Sequence, residues 1–248
     1  MPKLVATFRL GLLLLGGSAS LLTGCDRGDR VQLLLEAKRK DASDEAMDKA
    51  RAVVERRLEA LGSSRATVVR QPGNRILVTL SAGEDTAPIK ALIGRSARLD
   101  FRLVDPGVTA AQIAAGEAPP GTRFLRFPGG GADGRIAVRG RSIVNGSMIA
   151  DAQQTFDSSG RPAVTLTFDA LGSRRFARAT RDNVGRPFAI ALDDVVVSAP
   201  NINEPILGGQ AVISGDFTVE SASELAIALR SGALPLDLVV VAERRVER

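Results

Sequence analysis

What most constrains this chain is the order in which its apolar periodicities change between residues 31 and 104. Val31–Ala37 (VQLLLEA) is a β-compatible apolar run bounded by charge, which predicts a strand. Ser43 then offers an N-cap, with Asp44 and Glu45 in the first turn, where the helix dipole favours acids. Met47, Ala50, Val54, Leu58 and Leu61 follow at helical spacing, and Gly62 is a natural stop. Thr67–Arg70 and Ile76–Leu80 read as two short strands joined through Gln71-Pro72-Gly73-Asn74. Asp85 caps a short helix with Pro88 in its first turn and Gly94 at its end. Leu99–Val104 (LDFRLV) alternates as a half-buried strand does.

The order is β-α-β-β-α-β. A four-stranded antiparallel sheet with two helices on one face buries these stripes most simply, so the expected fold class is α+β with a ferredoxin-like (βαββαβ) base. Residues 105–140 break the pattern. Asp105-Pro106-Gly107, Pro119-Pro120-Gly121 and Pro128-Gly129-Gly130-Gly131 predict a boundary and a loop-rich entry into a second module. The glycine cluster lacks the Gly-Lys-Ser/Thr ending of a phosphate cradle and reads as a loop. Beyond it, Ala163–Phe168 predicts a strand and Asp169 caps a helix running to about Asn183, closed by Gly185. Phe188–Leu192 and Val195–Ser198 flank Asp193-Asp194 as a hairpin. Thr218 caps a last helix with Gly232 as its stop, and Leu236–Ala242 is a strand.

The residue inventory excludes much chemistry. The chain has 248 residues with no His and one Cys. Histidine-based nucleophile systems, histidine metal sites and intramolecular disulfides are therefore impossible. It has nine Phe and neither Tyr nor Trp, too few aromatics for a base-stacking platform. The formal charge of +5 is a solubility charge, and two of its basic residues, Lys3 and Arg9, lie at the N-terminus. Arg174, Arg178 and Arg181 share a helix face, which attracts anionic lipid or acidic protein segments, or is simply solvated; the solvated face is the favoured reading. Asp193-Asp194 reads as turn chemistry rather than an acid–base pair. No catalytic, metal-binding or cofactor-binding residue, no cofactor and no nucleic-acid partner is expected, and the chain is read as no enzyme.

Residues 1–24 read as a targeting segment. Lys3 and Arg9 precede an apolar stretch from Leu10 to Leu22, shorter than the roughly 20 residues a spanning helix needs. It ends in Leu22-Thr23-Gly24-Cys25, which resembles a bacterial lipoprotein signal. The resemblance implies cleavage between Gly24 and Cys25 and lipid attachment at the Cys25 thiol, on the outer, periplasmic face of the cell membrane. The alternative is an ordinary signal peptide or uncleaved anchor with an incidental Cys. The position of the chain's single Cys favours the lipoprotein. Asp26 directly after it resembles an inner-membrane retention signal.

The stretch from Asp151 to Arg245 resembles the first large periplasmic domain of the protein-export membrane proteins SecD and SecDF. The motifs come in order. Thr165-Leu166-Thr167-Phe168-Asp169-Ala170-Leu171-Gly172 leads into a helix with Phe176 and Thr180. Ala189-Ile190-Ala191-Leu192-Asp193 and Val197-Ser198-Ala199-Pro200 precede Asn201-Ile202-Asn203-Glu204-Pro205-Ile206 and Gly208-Gly209. Ile213-Ser214-Gly215-Asp216-Phe217-Thr218 then leads to Leu229-Arg230-Ser231-Gly232-Ala233-Leu234-Pro235. Ala91-Leu92-Ile93-Gly94 before Leu99–Val104 is similar to the family's base.

The resemblance implies a base at 25–104, an inserted α+β head subdomain at 105–235, and a returning base strand with a charged C-terminus at 236–248. It implies a head that moves on its base, with hinges expected at 105–110 and 232–236. The partners it implies are components of the Sec translocon and unfolded preproteins, besides the lipid bilayer through acylated Cys25. The expected role is a non-catalytic, lipid-anchored module assisting export; the alternative is an envelope scaffold or assembly lipoprotein that reuses the fold to bind a folded partner. Family members open with a transmembrane helix and continue into further spans after the position of Glu247, so this chain is expected not to draw on the proton-motive force itself. Asp26-Arg27-Gly28-Asp29-Arg30 stands where the family has a glycine-rich opening, and Asp193-Asp194 where it tends to have Asp-Gly.

Overall fold

The computed structural model describes residues 29–247. The 1–24 segment and Cys25 lie outside the described residues. The first region comprises β1 (Arg30–Ala37), α1 (Asp44–Ala60), β2 (Thr67–Gln71), β3 (Arg75–Ser81) and α2 (Thr86–Ile93). The second begins with β4 (Leu99–Leu103), α3 (Ala110–Ala115), β5 (Thr122–Arg126), β6 (Arg135–Arg139), β7 (Val144–Asn145) and a 3-10 turn at Gly146–Met148. It continues through β8 (Ile149–Phe156), β9 (Pro162–Phe168), α4 (Ala170–Asp182), β10 (Phe188–Leu192), β11 (Val195–Ser198), β12 (Gln210–Ser214) and α5 (Val219–Ser231). The last strand, β13 (Leu238–Val246), returns to the first region.

The first region is a four-stranded antiparallel sheet in the order β13-β1-β3-β2. Alternate residues of β1 (Val31, Leu33, Leu35) and β3 (Ile76, Val78, Leu80) are buried under Met47, Val54 and Leu58 of α1 and Ile89 and Ile93 of α2. Ser43 does cap α1, its hydroxyl accepting from the Ala46 amide. Arg30 lies opposite Val246, so β1 begins beside the place where β13 ends.

One expected strand sits elsewhere. Leu99–Val104 is predicted as the fourth strand of this sheet; instead β4 pairs with β10, Phe101 opposite Ile190, and with β7. Period-2 alternation fixes a strand but not its partner. The partner is set by Phe101, which packs against Phe168, Phe176 and Phe188 with ring centroids 5.5–6.0 Å apart. β13 occupies the place beside β1.

The second region has a six-stranded sheet, β6-β5-β11-β10-β4-β7, and a three-stranded sheet, β12-β9-β8. β10 is buried on both faces: Phe188 and Ile190 enter the main core, while Ala189 and Ala191 face Leu125, Val138 and Val196. That explains its unbroken apolar run, FAIAL. The three-stranded sheet and α5 close the main core, with Leu166, Ile213 and Leu225 inside it. Residues 105–140, predicted as loop-rich, also hold α3 and the β5–β6 hairpin. In that hairpin Gly131 has φ +76°, and a Cβ there would lie 2.0 Å from the Arg135 carbonyl oxygen. The glycine cluster is therefore a tight turn.

Candidate functional site

Two chain crossings join the regions, at residues 94–98 and 232–237, and they are hydrogen-bonded to each other by the Leu234 amide donating to the Ser96 carbonyl at 3.0 Å. Arg57 lies in the apolar stripe of α1 and is fully buried. Its Nη1 donates to the carbonyls of Leu92 (2.8 Å) and Arg95 (2.5 Å) at the end of α2, and its Nη2 to the carbonyl of Gly232 (3.1 Å). These include the orphan acceptors of a helix C-terminus, which a guanidinium fork satisfies. Burial pulls the Arg57 pKa down to about 10, opposed by Asp193 and reinforced by Arg95 and Arg56, so the side chain stays charged at neutral pH. Beside it, Arg56 donates through Nε and Nη2 to the Ser231 carbonyl, at 3.0 and 2.8 Å.

Asp193 completes the junction from the other side. It occupies the β10–β11 turn with φ +52°, and Asp194 follows at +64°. Both are left-handed, a geometry that Asp accepts better than most residues. The Asp193 carboxylate accepts from the Arg98 amide (2.9 Å) and the Ala97 amide (3.2 Å). The two adjacent acids are therefore turn formers, and one of them also holds a chain crossing. Neither Arg57 nor the ties of Asp193 were readable from sequence. Arg57 stands one position before the predicted core residue Leu58, and its acceptors lie 35 to 175 residues away.

The two segments expected as hinges differ. Residues 232–236 form part of the second crossing. Residues 105–107 lie within the second region and are tied into it: the Asp105 amide donates to the Ala137 carbonyl and the Val104 amide to the Pro187 carbonyl. The Asp105 carboxylate accepts from Thr122 Oγ1 at 2.6 Å and the Gly107 amide at 3.2 Å, which holds its pKa below the usual carboxylate range. Gly24 and Cys25 lie outside the described residues. No helix of the described residues is long and apolar enough to cross a membrane.

The second region carries a cleft of about 470 Å³ between α4 and the β6–β7 connection. Arg139 and Arg141 line one wall, Arg175 and Arg178 the other, with Leu103 and Ile143 between them. Of the α4 arginines singled out in the sequence, only Arg178 lines the cleft; Arg175 is its neighbour there. Arg139 and Arg141 could not be foreseen, because the fold alone brings β6 beside α4. A second cleft, of about 500 Å³, lies in the first region between the α1–β2 loop and the start of α2.

Residues 123–236 match the family model described as the SecDF P1 head subdomain, and residues 47–106 match that for the N-terminal part of the P1 domain of protein translocase subunit SecDF. The chain is 35% identical to the protein translocase subunit SecD of Rickettsia bellii over 211 residues, 85% of this chain and 40% of the relative. It is 38% identical to SecD of Magnetococcus marinus over 223 residues, 88% of this chain and 42% of the relative. The chain thus spans about 40% of the length of these curated relatives. Its fold is similar to that of SecDF in a super-membrane-facing form, with a TM-score of 0.72 at 36% identity, over 88% of this chain and 31% of that one. A second solved chain, from SecDF described as a membrane component that enhances protein export, is covered over its whole length, with a TM-score of 0.67 and 36% identity, by 87% of this chain.

Proposed function

The chain belongs to the SecD/SecDF protein-translocase family, through that family's first periplasmic domain, and on that premise we propose that it assists Sec-dependent protein export from the periplasmic side of the membrane. It binds emerging preprotein, or components of the Sec translocon, reversibly and without a chemical step. Acylated Cys25 anchors it to the bilayer and raises its effective concentration near the export channel. The observation that carries this reading is the end-to-end coverage of a solved SecDF chain at 36% identity. The junction built on Arg57 and Asp193 supports a defined relation between head and base, with the segment around Gly232 as the place where that relation changes.

Photocrosslinking in cells tests the reading. A crosslinkable residue is placed at Phe156, Leu207 or Val212, all exposed on the head. A stalled secretory protein serves as bait and Cys25→Ala as the untethered control. Crosslinks to the stalled chain that fade in the control are expected, together with palmitate labelling that the control lacks. A reproducible band to one folded envelope protein, with none to the stalled chain, would replace this reading with the scaffold.

A further inference from the structure

Several arginines of the head pair with an acid or cap a carbonyl. Arg98 and Arg123 face Asp193 and Asp194, Arg161 faces Asp157, and the buried Arg102 faces Asp100 and donates to the carbonyls of Arg139 and Gly140. The cleft between α4 and the β6–β7 connection gathers four arginines, Arg139, Arg141, Arg175 and Arg178, in one place. Arg141 and Arg175 form no ion pair among the described residues, and both are exposed. Arg178 has Asp182 as a partner at 3.6 Å. Arg139 acts at a distance on Asp105, whose oxygens are already taken by Thr122 and Gly107. A smaller hollow of about 190 Å³ continues the cleft past Leu103 and Arg139 to Arg186, whose guanidinium donates to the Asn183 amide oxygen.

Five guanidinium groups therefore converge where the fold supplies two carboxylates. Three of them sit on α4 or just after it, and two come from the far side of the six-stranded sheet. Like charges brought together on rigid elements cost stability, which an anion bound between them recovers. Guanidinium groups match carboxylates in a planar, bidentate fork. The floor between them is apolar: Leu103, Ile143 and Ala179. A flat bilayer surface does not enter a concave cleft, whereas an extended chain lays alternate side chains into it.

We propose that this cleft is a docking site for an acidic polypeptide segment, with carboxylates on the arginines and apolar side chains on the floor between them. It deepens the export reading and rests on it only for the source of the segment. The interaction is one of exposed charges, so salt weakens it.

The test is fluorescence anisotropy of a short labelled peptide of alternating glutamate and leucine, titrated with the full chain in a neutral detergent. A lysine–leucine peptide is the charge-reversed control. The glutamate peptide is expected to bind at least about tenfold tighter than its control, and to weaken as salt rises to about 0.5 M. Arg141→Glu with Arg175→Glu should lose about tenfold or more, whereas Arg244→Glu with Arg245→Glu, the same charge change on the base, should lose under about threefold. An unchanged melting temperature shows that each variant is folded. Equal affinity for both peptides, or equal losses in both double variants, overturns the proposal. So does binding to phosphatidylglycerol vesicles, lost with Arg141 and Arg175, in the absence of peptide binding. Crosslinking separates the two readings. Stalled-chain crosslinks that persist without any arginine-dependent peptide binding refute the cleft and keep the export role. Arginine-dependent binding without such crosslinks does the reverse.

Discussion

Arg57 Nη2 donates to the Gly232 carbonyl across 3.1 Å, joining two residues 175 apart in sequence. The bond runs from the longest helix of the base to the chain crossing that leaves the head. Replacement by Met removes one desolvated charge and leaves the Arg95 and Gly232 carbonyls without their donor, while the Leu92 carbonyl keeps the Arg95 amide. The orphaned acceptors decide the sign, at about 1–3 kcal/mol for each that stays buried, so Arg57→Met is expected to lose about 2–4 kcal/mol in urea unfolding. A variant as stable as the parent would show that desolvation dominates. The folded pKa near 10 lies below the ordinary guanidinium value, so the unfolded state binds more protons between the two. This group's contribution to stability rises with pH in that window and is flat at neutral pH.

Asp105 gives a slope of the same sign, but in the acid range. Its folded pKa is lowered, first by the Thr122 hydroxyl and then by the Gly107 amide. Its stabilisation is present above the ordinary carboxylate value of about 4 and is lost as pH falls through the folded value. The melting-temperature gap between the parent and Asp105→Asn should narrow on acidification. Parallel profiles for the two proteins would remove Asp105 from the acid response.

Gly172 stands inside α4, where Ala is normally better by about 1 kcal/mol. A Cβ there would meet Met148 Cβ at 2.9 Å and the Met148 carbonyl oxygen at 3.0 Å. Contact with backbone outweighs propensity, and Gly172→Ala should destabilise by about 1–3 kcal/mol in thermal or urea unfolding. A stabilised variant would mean that α4 moves off the Met148 turn at little cost.

Asp193→Asn tests the second tie. Asn tolerates the left-handed turn, but it presents one acceptor oxygen and one amino group where two amides need two acceptors. Exchange of the Ala97 and Arg98 amides should speed up, with a loss of about 1–3 kcal/mol. Unchanged exchange at those amides would assign their protection to something other than the carboxylate.

Local chemistry was legible in the sequence. Ser43, Asp85, Asp169 and Thr218 cap their helices, because a cap and its amides lie within a few residues of one another. Pairings between distant segments were not. LDFRLV alternates in a way that suits either sheet, and only the Phe101 ring, seated among three other phenylalanines, selects the head. The cleft was half visible: α4 displays its arginines at helical spacing, while Arg139 and Arg141 reach them only through the placement of β6 and β7 beside β4.

The pairing of β1 with β13 sets how the base responds to mechanical load. Arg30 and Val246 face each other at one end of an antiparallel ladder whose hydrogen bonds run across the strands. Tension applied between these two residues acts along those bonds and breaks them one after another, as a zip opens. Tension between the head and Arg30 instead enters through the second crossing, near Leu234, and pulls β1 along β13. Many bonds then share the load in shear. The base is therefore weak to a pull that separates its own two ends and strong to a pull delivered through the head.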